Sequence, residues 1–387
     1  NFISNGTLKN DINQFDIRLD HNLSTRDNVF ARYSFSQTDR SEPPVLDDPV
    51  ASGDFSSNYL IRGQNAVAGW SRIFGASLFS EFRAGYNRVR SDAVHLAFGV
   101  DSNAQYGIKG VPTDPRFYGG LPHMPIARFA RLGGPFFRPQ FQTSQVFQFA
   151  ENLTWTLGRH AMKFGVERRR DMVNYIDLRS LNGELNFPDA RYTGFGIGDF
   201  LLGLSSAQRL TLFHQPDLYA DGWQFYAQDS WRVRDNLTVT AGIRYERFTP
   251  LFDREDKLTN IDPATGRVIT AKDGSVYDRA LLNQDTNDFA PRLGVSWNPV
   301  ERLVVRGGVG IFYQQFDRFG SESALGLNLP QLVDASITAN TGNDAPAFTF
   351  AQGFTPLNAQ TINPAIVQWR IQDPNQKTPI VYQFSIG

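Results

Sequence analysis

Polarity alternates residue by residue along stretches of about ten residues. Leu237, Val239, Ala241, Ile243 and Tyr245 are apolar, while Thr238, Thr240, Gly242, Arg244 and Glu246 between them are not. Successive side chains of a strand point to opposite faces, so this segment predicts a ribbon with one oily side and one wet side. The same period of two recurs along the chain. Phe15, Ile17 and Leu19 turn through residues 24–28 into Val29, Ala31, Tyr33 and Phe35. Strands predicted near 64–74 and 78–90 meet at 75–77, the second carrying Phe82, Ala84 and Tyr86 on one face. Phe147, Phe149, Leu153 and Trp155 lead through 158–160 into Met162, Phe164 and Val166. Trp223, Phe225, Ala227, Trp231 and Val233 precede the segment described first. Phe289, Leu293, Val295 and Trp297 turn through 298–302 into Leu303, Val305, Val309, Ile311 and Tyr313. Weaker strand patterns lie near 181–189 and 206–214, separated by a short helical stretch at 199–203, and residues 382–387 open one more strand.

The count is about 13 strands, joined alternately by tight turns and by long segments: a Pro- and Asp-rich loop after the first hairpin, then 91–141, 248–287 and 314–378. A tilted strand needs roughly 9–11 residues to cross a bilayer, against about 5–6 for a typical soluble strand. Structureless loops above about 15 residues are uncommon in compact soluble domains. A soluble sandwich has no reason to place every long loop at one end. A barrel does, because one rim faces the periplasm and the other the outside. The expected fold is all-β: an antiparallel transmembrane β-barrel segment with short periplasmic turns and long extracellular loops.

Composition agrees with this reading. Mean hydropathy is −0.35 and charged residues make up 20%, yet a barrel hides apolar residues at alternate positions and averages its hydropathy away. No apolar run approaches the 18 or so residues of a membrane helix. Aromatics reach 13%, with 32 phenylalanines, as expected of girdles at two lipid–water boundaries. The absence of cysteine excludes disulfides and thiolate metal sites. A net charge of −1 gives no global attraction for nucleic acid. Only six of the 38 basic residues are lysines, and arginine suits fixed carboxylate pairs. Both termini read as cuts within a longer chain: no signal peptide precedes Asn1, and Gly387 falls inside a strand pattern.

Candidate chemistry concentrates on the wet faces. Asp16, Arg18 and Asp20 share one strand face; Lys163, Glu167 and Arg169 share another; Arg244 and Glu246 a third; Arg32 and Arg306 extend the set. An Arg or Lys on the lipid face costs about 2–4 kcal/mol at mid-bilayer, so these ten residues are expected to face the lumen. Opposite signs at i, i+2 predict cross-strand ladders that hold the wall or a plug, with direct ligand contact as the secondary role. Five histidines (His21, His95, His123, His160, His214) show no metal-ligand spacing. Residues 307–310 are glycine-rich, but they sit inside a strand with no helix following, which points to a strand bend rather than a phosphate loop. The matches at Asn5 and Asn152 to a glycosylation sequon are of the kind chance supplies. Asp253, Glu255, Asp256, Asp285 and Asp288 share one loop region, read as a solvated acidic loop with a calcium site as the alternative. No Ser/His/Asp or paired-acid set points to catalysis, and no cofactor is expected.

Several stretches resemble the TonB-dependent outer-membrane receptors, within them the Oar-like group. They include residues 13–21, 30–34, 158–165, 198–203, 225–232, 242–246, 290–294 and 306–313, in shared order across most of the chain. The resemblance implies that residues 1–387 are part of a 22-stranded receptor barrel in the outer membrane of a Gram-negative bacterium. It further implies a plug domain and energy supplied through TonB, both outside this sequence. On that reading the long loops, especially 91–141 and 314–378, capture an external ligand such as a carbohydrate or peptide, which is then moved across the outer membrane. The competing readings are a structural or adhesive surface barrel that moves nothing, and a soluble secreted β-rich binding protein.

Overall fold

The computed structural model describes every residue except 1–2, 54–55, 112–113, 178, 315–324, 340–344, 359–361 and 364–366. Eleven strands run through one antiparallel sheet in sequence order. They are β1 (Lys9–Asn22), β2 (Asp27–Ser41), β3 (Ser57–Ile73), β4 (Leu78–His95), β5 (Gln140–Leu157) and β6 (His160–Asp177). Then follow β7 (Asp217–Arg234), β8 (Leu237–Phe248), β9 (Asp288–Val300), β10 (Leu303–Tyr313) and β11 (Ile380–Ile386). The two-residue strand Phe252–Asp253 adds to the far end of β7. Each strand pairs with its neighbour in sequence, and the open edges of the sheet are β1 and β11.

The turns at one rim are short because their residues satisfy the backbone locally. Ser24 Oγ accepts from the amides of Arg26 and Asp27, each at 3.0 Å, and donates to the Asp27 carboxylate at 2.8 Å. Gly158 takes φ +57°, the left-handed conformation that a two-residue hairpin turn demands. At the other rim the strands outrun the sequence prediction: β3 begins at Ser57 and β4 continues to His95. Above the lipid zone the outward positions turn polar, so the apolar alternation fades while the hydrogen-bonded ladder carries on.

Two predicted strands are not part of this wall. The stretches near 181–189 and 206–214 contain Glu184–Asn186 and Ala207–Phe213, which form a separate three-stranded sheet with Leu332–Thr338. Leu185, Gln208, Leu210 and Thr211 are buried, so these strands are covered on both faces by protein. Among the described residues the wall therefore has eleven strands in its path, with the two-residue Phe252–Asp253 added beside β7, against the expected 13 or so. The expected helical stretch begins earlier than predicted, as a helix at Gly196–Leu201.

The buried cores lie among the long connections. One cluster gathers Phe117, Leu181, Phe252, Leu258, Leu281 and Leu327 over the far ends of β6 and β7. A second gathers Met124, Ile126, Leu185, Phe187, Phe348 and Phe354. The long loops thus fold into a cap with an interior of its own. Among the described residues, no helix is long and apolar enough to cross a membrane.

Candidate ligand-facing surface

The strand register fixes which side chains share a face. Ile17 stands opposite Tyr33, Tyr33 opposite Ala66, Ala66 opposite Tyr86 and Tyr86 opposite Phe147. Farther along, Phe164 pairs with Ala227, Ala227 with Ile243, Leu293 with Val309, and Val309 with Phe384. These residues form one continuous apolar face, and no protein covers it: Phe15 and Leu293 are each 48% exposed. Water would not tolerate so large an uncovered patch; hydrocarbon chains would cover it.

The tryptophans set the height of that face. Trp70, Trp155, Trp231 and Trp297 all lie within three residues of the short-turn ends of their strands. Eight positions farther along β5, β7 and β9 stand Phe147, Trp223 and Phe289. Eight residues of strand cover about 27 Å, or about 20 Å of height at a typical tilt of about 40°. Two aromatic girdles about that far apart match the boundaries of an outer-membrane apolar band.

All ten charged residues singled out from the sequence occupy the opposite, polar face. Each sits at a position of the other parity from the apolar residues on its strand. Their pairing differs from the expected cross-strand ladders. Arg18 binds Asp20 through Nε at 2.8 Å and Nη2 at 2.7 Å, Arg169 binds Asp171 at 2.7 Å, and Arg244 binds Glu246 at 2.5 Å, all along a single strand. The register explains this. It sets Arg18 opposite Arg32, a like charge, and Arg244 opposite Tyr226 and Ala290. The nearest carboxylate in reach is therefore two residues away on the same strand. Arg18 also lies 4.6 Å from the Phe30 ring centre. Asp16 is bonded by Ser34 Oγ, and Glu167 accepts from Gln224 at 3.3 Å. Lys163 stands between Thr154 and Gln228, and Arg306 opposite Ser296. The ten thus spread over five strands instead of meeting in one pocket.

Three features were not singled out in the sequence. Glu151 lies on the apolar face, midway between Phe147 and Trp155 and in register with Phe82 and Val166; Ser80 Oγ donates to it at 2.5 Å. Arg62, Arg88, Arg90, Arg168 and Arg170 face the same way, at and above the upper girdle. In the sequence these interrupt the alternation and so read as noise. His95 is buried at the far end of β4, above the bilayer. Its Nδ1 accepts from the Ala97 amide at 3.2 Å, which leaves Nε2–H to donate to Ser52 Oγ at 3.0 Å. Gly120 and Gly134 crowd its ring so closely that a Cβ at either would overlap it. Burial pushes the His95 pKa down to about 4.

The carboxylates of the loop region are engaged in local structure. Asp253 is buried and accepts from the amides of Asp217, Glu255 and Lys257. Asp256 pairs with Arg279 at 2.7 Å, Glu255 with Lys257, and Asp285 with Lys377 at 3.3 Å. Among the described residues, no three His, Asp or Glu side chains gather as a metal site. Asp285 and Asp288 do border a cleft of about 220 Å³ at the cap, together with Phe248, Asn283, Gln314 and Gln376. Across the cap, Arg209 grips Asp334 with two hydrogen bonds of 2.7 and 2.6 Å, tying the connection after β6 to the one before β11.

A sheet with a lipid-facing apolar band, two aromatic girdles and long connections at one rim is the wall of a transmembrane β-barrel. Over its whole length, residues 1–387, the chain belongs to the outer membrane beta barrel domain family, which places it in the cell outer membrane. No curated protein matches the sequence. Similar solved structures include the ferric-catecholate import receptor Fiu of E. coli K12 in its closed form, at 14% identity and TM-score 0.46, over 85% of this chain and 51% of that one. The siderophore receptor PiuA of Acinetobacter baumannii is similar at 11% identity and TM-score 0.48, over 85% of this chain and 46% of that one. The ferric citrate transporter FecA in its unliganded form is similar at 10% identity and TM-score 0.43, over 79% and 36%. The chain spans about half or less of the length of these structures.

Proposed function

We propose that this chain is wall and cap of a TonB-dependent receptor of the Oar-like group, which binds an external ligand at its cap and passes it across the outer membrane. The observation that carries the reading is the division of the sheet into an uncovered apolar face and a charged face beneath a folded cap. An open sheet edge in lipid would leave backbone groups unpaired, so on this reading β1 and β11 join further strands of a larger barrel, for which the resemblance to TonB-dependent receptors implies 22 strands. In that barrel the ten polar-face charges line the lumen. The along-strand pairs hold the guanidinium groups of Arg18, Arg169 and Arg244 in place and present fixed donors to a plug. Ligand capture falls to the cap. Its cleft beside Asp285 and Asp288 offers amide, hydroxyl and carboxylate groups next to Phe248, a mixture suited to a carbohydrate or peptide. Movement of the bound ligand through the lumen would draw on TonB and a plug domain.

Uptake in whole cells tests this. Deleting the gene is expected to abolish accumulation of one class of external solute, and deleting TonB alone is expected to do the same. Unchanged uptake of every carbohydrate and peptide tried would refute it. A display role without transport draws support from the cap itself, because the Arg209–Asp334 clamp favours a fixed outer surface. Loss of surface adhesion with uptake intact would select that reading.

A further inference from the structure

The cap cleft is small and carries one charge that the protein leaves unanswered. Its volume of about 220 Å³ falls below the roughly 300–1,000 Å³ that encloses a whole drug-sized ligand, so it suits a single side chain or sugar ring. Its charged lining residues are Asp285, Asp288 and Lys377. Lys377 lies 3.3 Å from Asp285, which also accepts from the Thr378 amide at 3.2 Å. Those two charges answer each other. Asp288, at the head of β9, is only 2% exposed, and the neutral Thr378 hydroxyl donates to it at 2.9 Å. Among the described residues Asp288 has neither a second hydrogen-bond donor nor an ion-pair partner.

The neighbouring strand sharpens this imbalance. The register sets Glu246 of β8 directly opposite Asp288, so two carboxylates face each other across the strand pair. Arg244, two positions nearer the short turns, is bound to Glu246 at 2.5 Å. Arg247 stands on the outward face of β8 and donates to Gln284 at 3.1 Å. A buried carboxylate without a cation is unfavourable, and a positively charged group entering the cleft relieves it. Phe248 adds an aromatic surface two positions beyond Glu246 on the same face. Its ring occupies the space that a Cβ at Gly222 would take, which seats it on the wall beside the cleft. A carboxylate next to an aromatic ring is the pairing that recognises ammonium and guanidinium groups. Asn283 and Gln376 border the cleft with side-chain amides whose oxygens accept from further N–H donors. A metal ion fits less well, because among the described residues no three His, Asp or Glu side chains gather there.

We propose that the cleft selects ligands carrying a cationic nitrogen, which donates to the Asp288 carboxylate while the carbon frame beside it packs on Phe248. The inference rests on the cleft being the ligand site of the receptor reading, and it narrows the ligand from carbohydrates and peptides in general to basic peptides or amino sugars. Both sources share one chemistry, a protonated amine or guanidinium. Lys377 competes with the ligand for the same pair of carboxylates, so it tempers the affinity.

Ligand-observed NMR titration of the full-length protein in detergent at pH 7 tests the site with two pairs of probes. One pair is a Gly-Lys-Gly tripeptide capped at both ends and its side-chain-acetylated form; the other is glucosamine and N-acetylglucosamine. In at least one pair the amine is expected to bind at least about tenfold more tightly than its acetylated form. The pair that shows the difference tells a basic peptide from an amino sugar. Asp288→Asn keeps the shape of the side chain and is expected to erase the preference. Lys377→Met removes the competing cation and is expected to tighten amine binding severalfold. Heat-modifiable migration confirms that each variant is folded; where Asp288→Asn is not, the exposed Lys377→Met change decides the matter. Amine preference that survives in folded Asp288→Asn, or amine binding that weakens in Lys377→Met, would overturn the proposal. Equal affinity of both forms in both pairs would also overturn it and leave the receptor reading standing. Absence of binding by all four probes would overturn it as well, and only unchanged uptake in whole cells would remove the receptor reading with it.

Discussion

The wall and the cap are built by the same chain for different surroundings. In the wall, Phe15, Ile243 and Leu293 are about half exposed, and neighbours on each face meet across strands or two residues apart along one strand. Its stability comes from the backbone ladder and from lipid. In the cap, Leu185, Phe187 and Leu327 are fully buried, and a charged pair is gripped between two loops. A period of two therefore marks lipid contact in this protein, and it fades both in the wall above the lipid zone and in the buried strands of the cap. Long loops here are a second folded body seated on the first.

That separation makes the cap removable in energetic terms. Replacing Asp334 by Ala leaves Arg209 charged and partly buried without its partner, a change that typically costs about 3–5 kcal/mol. Amide exchange and protease cutting are expected to rise within 184–213 and 332–338, while heat-modifiable migration of the barrel stays normal. If the wall melts with the cap, the two regions are one cooperative unit.

The wall has the complementary weakness. Ile243→Arg puts a charge on the lipid face between the girdles and is expected to cost about 2–4 kcal/mol. Thr238→Arg, on the polar face of the same strand, is expected to change stability by less than about 0.5 kcal/mol. Denaturant-induced unfolding in lipid vesicles measures both. Equal losses would show that the two faces do not differ in their surroundings.

Acid acts on the cap first, through His95. Its ordinary pKa is 6.5, and burial lowers it to about 4 in the folded state. The unfolded cap therefore binds the proton more readily between those values. The contribution of neutral His95 is complete above about pH 6.5 and fades as the pH falls towards 4, by about 3 kcal/mol in all. Cap opening followed by amide exchange is expected to steepen over that window in the wild type and much less in His95→Gln. An unchanged profile in the variant would place the acid response elsewhere.

How far these features were legible in the sequence depends on which surroundings wrote them. Alternation at Leu237–Phe248 or Leu303–Tyr313 reports lipid on one side and water on the other, so the strands and the faces of Arg18, Lys163 and Arg244 could be read directly. The pairing partners could not be read, because register decides them: nothing local shows that Arg18 faces Arg32 and must turn to Asp20. The cap strands were mistaken for wall strands because strands buried on both faces lose their alternation. His95 looked like one scattered histidine, since its cradle comes from glycines 25 and 39 positions away (Gly120 and Gly134).

The smallest expected effect tests the sharpest exception to the comparison. Glu151 is a cap-like residue in the wall: a carboxyl at mid-height on the lipid face, with Ser80 as its hydrogen-bond donor. An acidic group there costs less than Arg or Lys, and the Ser80 bond offsets part of that cost. Replacing Glu151 by Leu alone removes the carboxyl but strands the Ser80 hydroxyl in hydrocarbon, so the gain should nearly cancel. Replacing both, as Ser80→Ala with Glu151→Leu, removes the polar pair together and is expected to stabilise the wall by about 1 kcal/mol. The double change should therefore exceed the sum of the two single changes, since each single change orphans a partner. If the double variant is instead less stable in pure lipid vesicles, the lipid zone does not extend over this stretch of β5, and the height assigned from Trp155 and Phe147 is wrong.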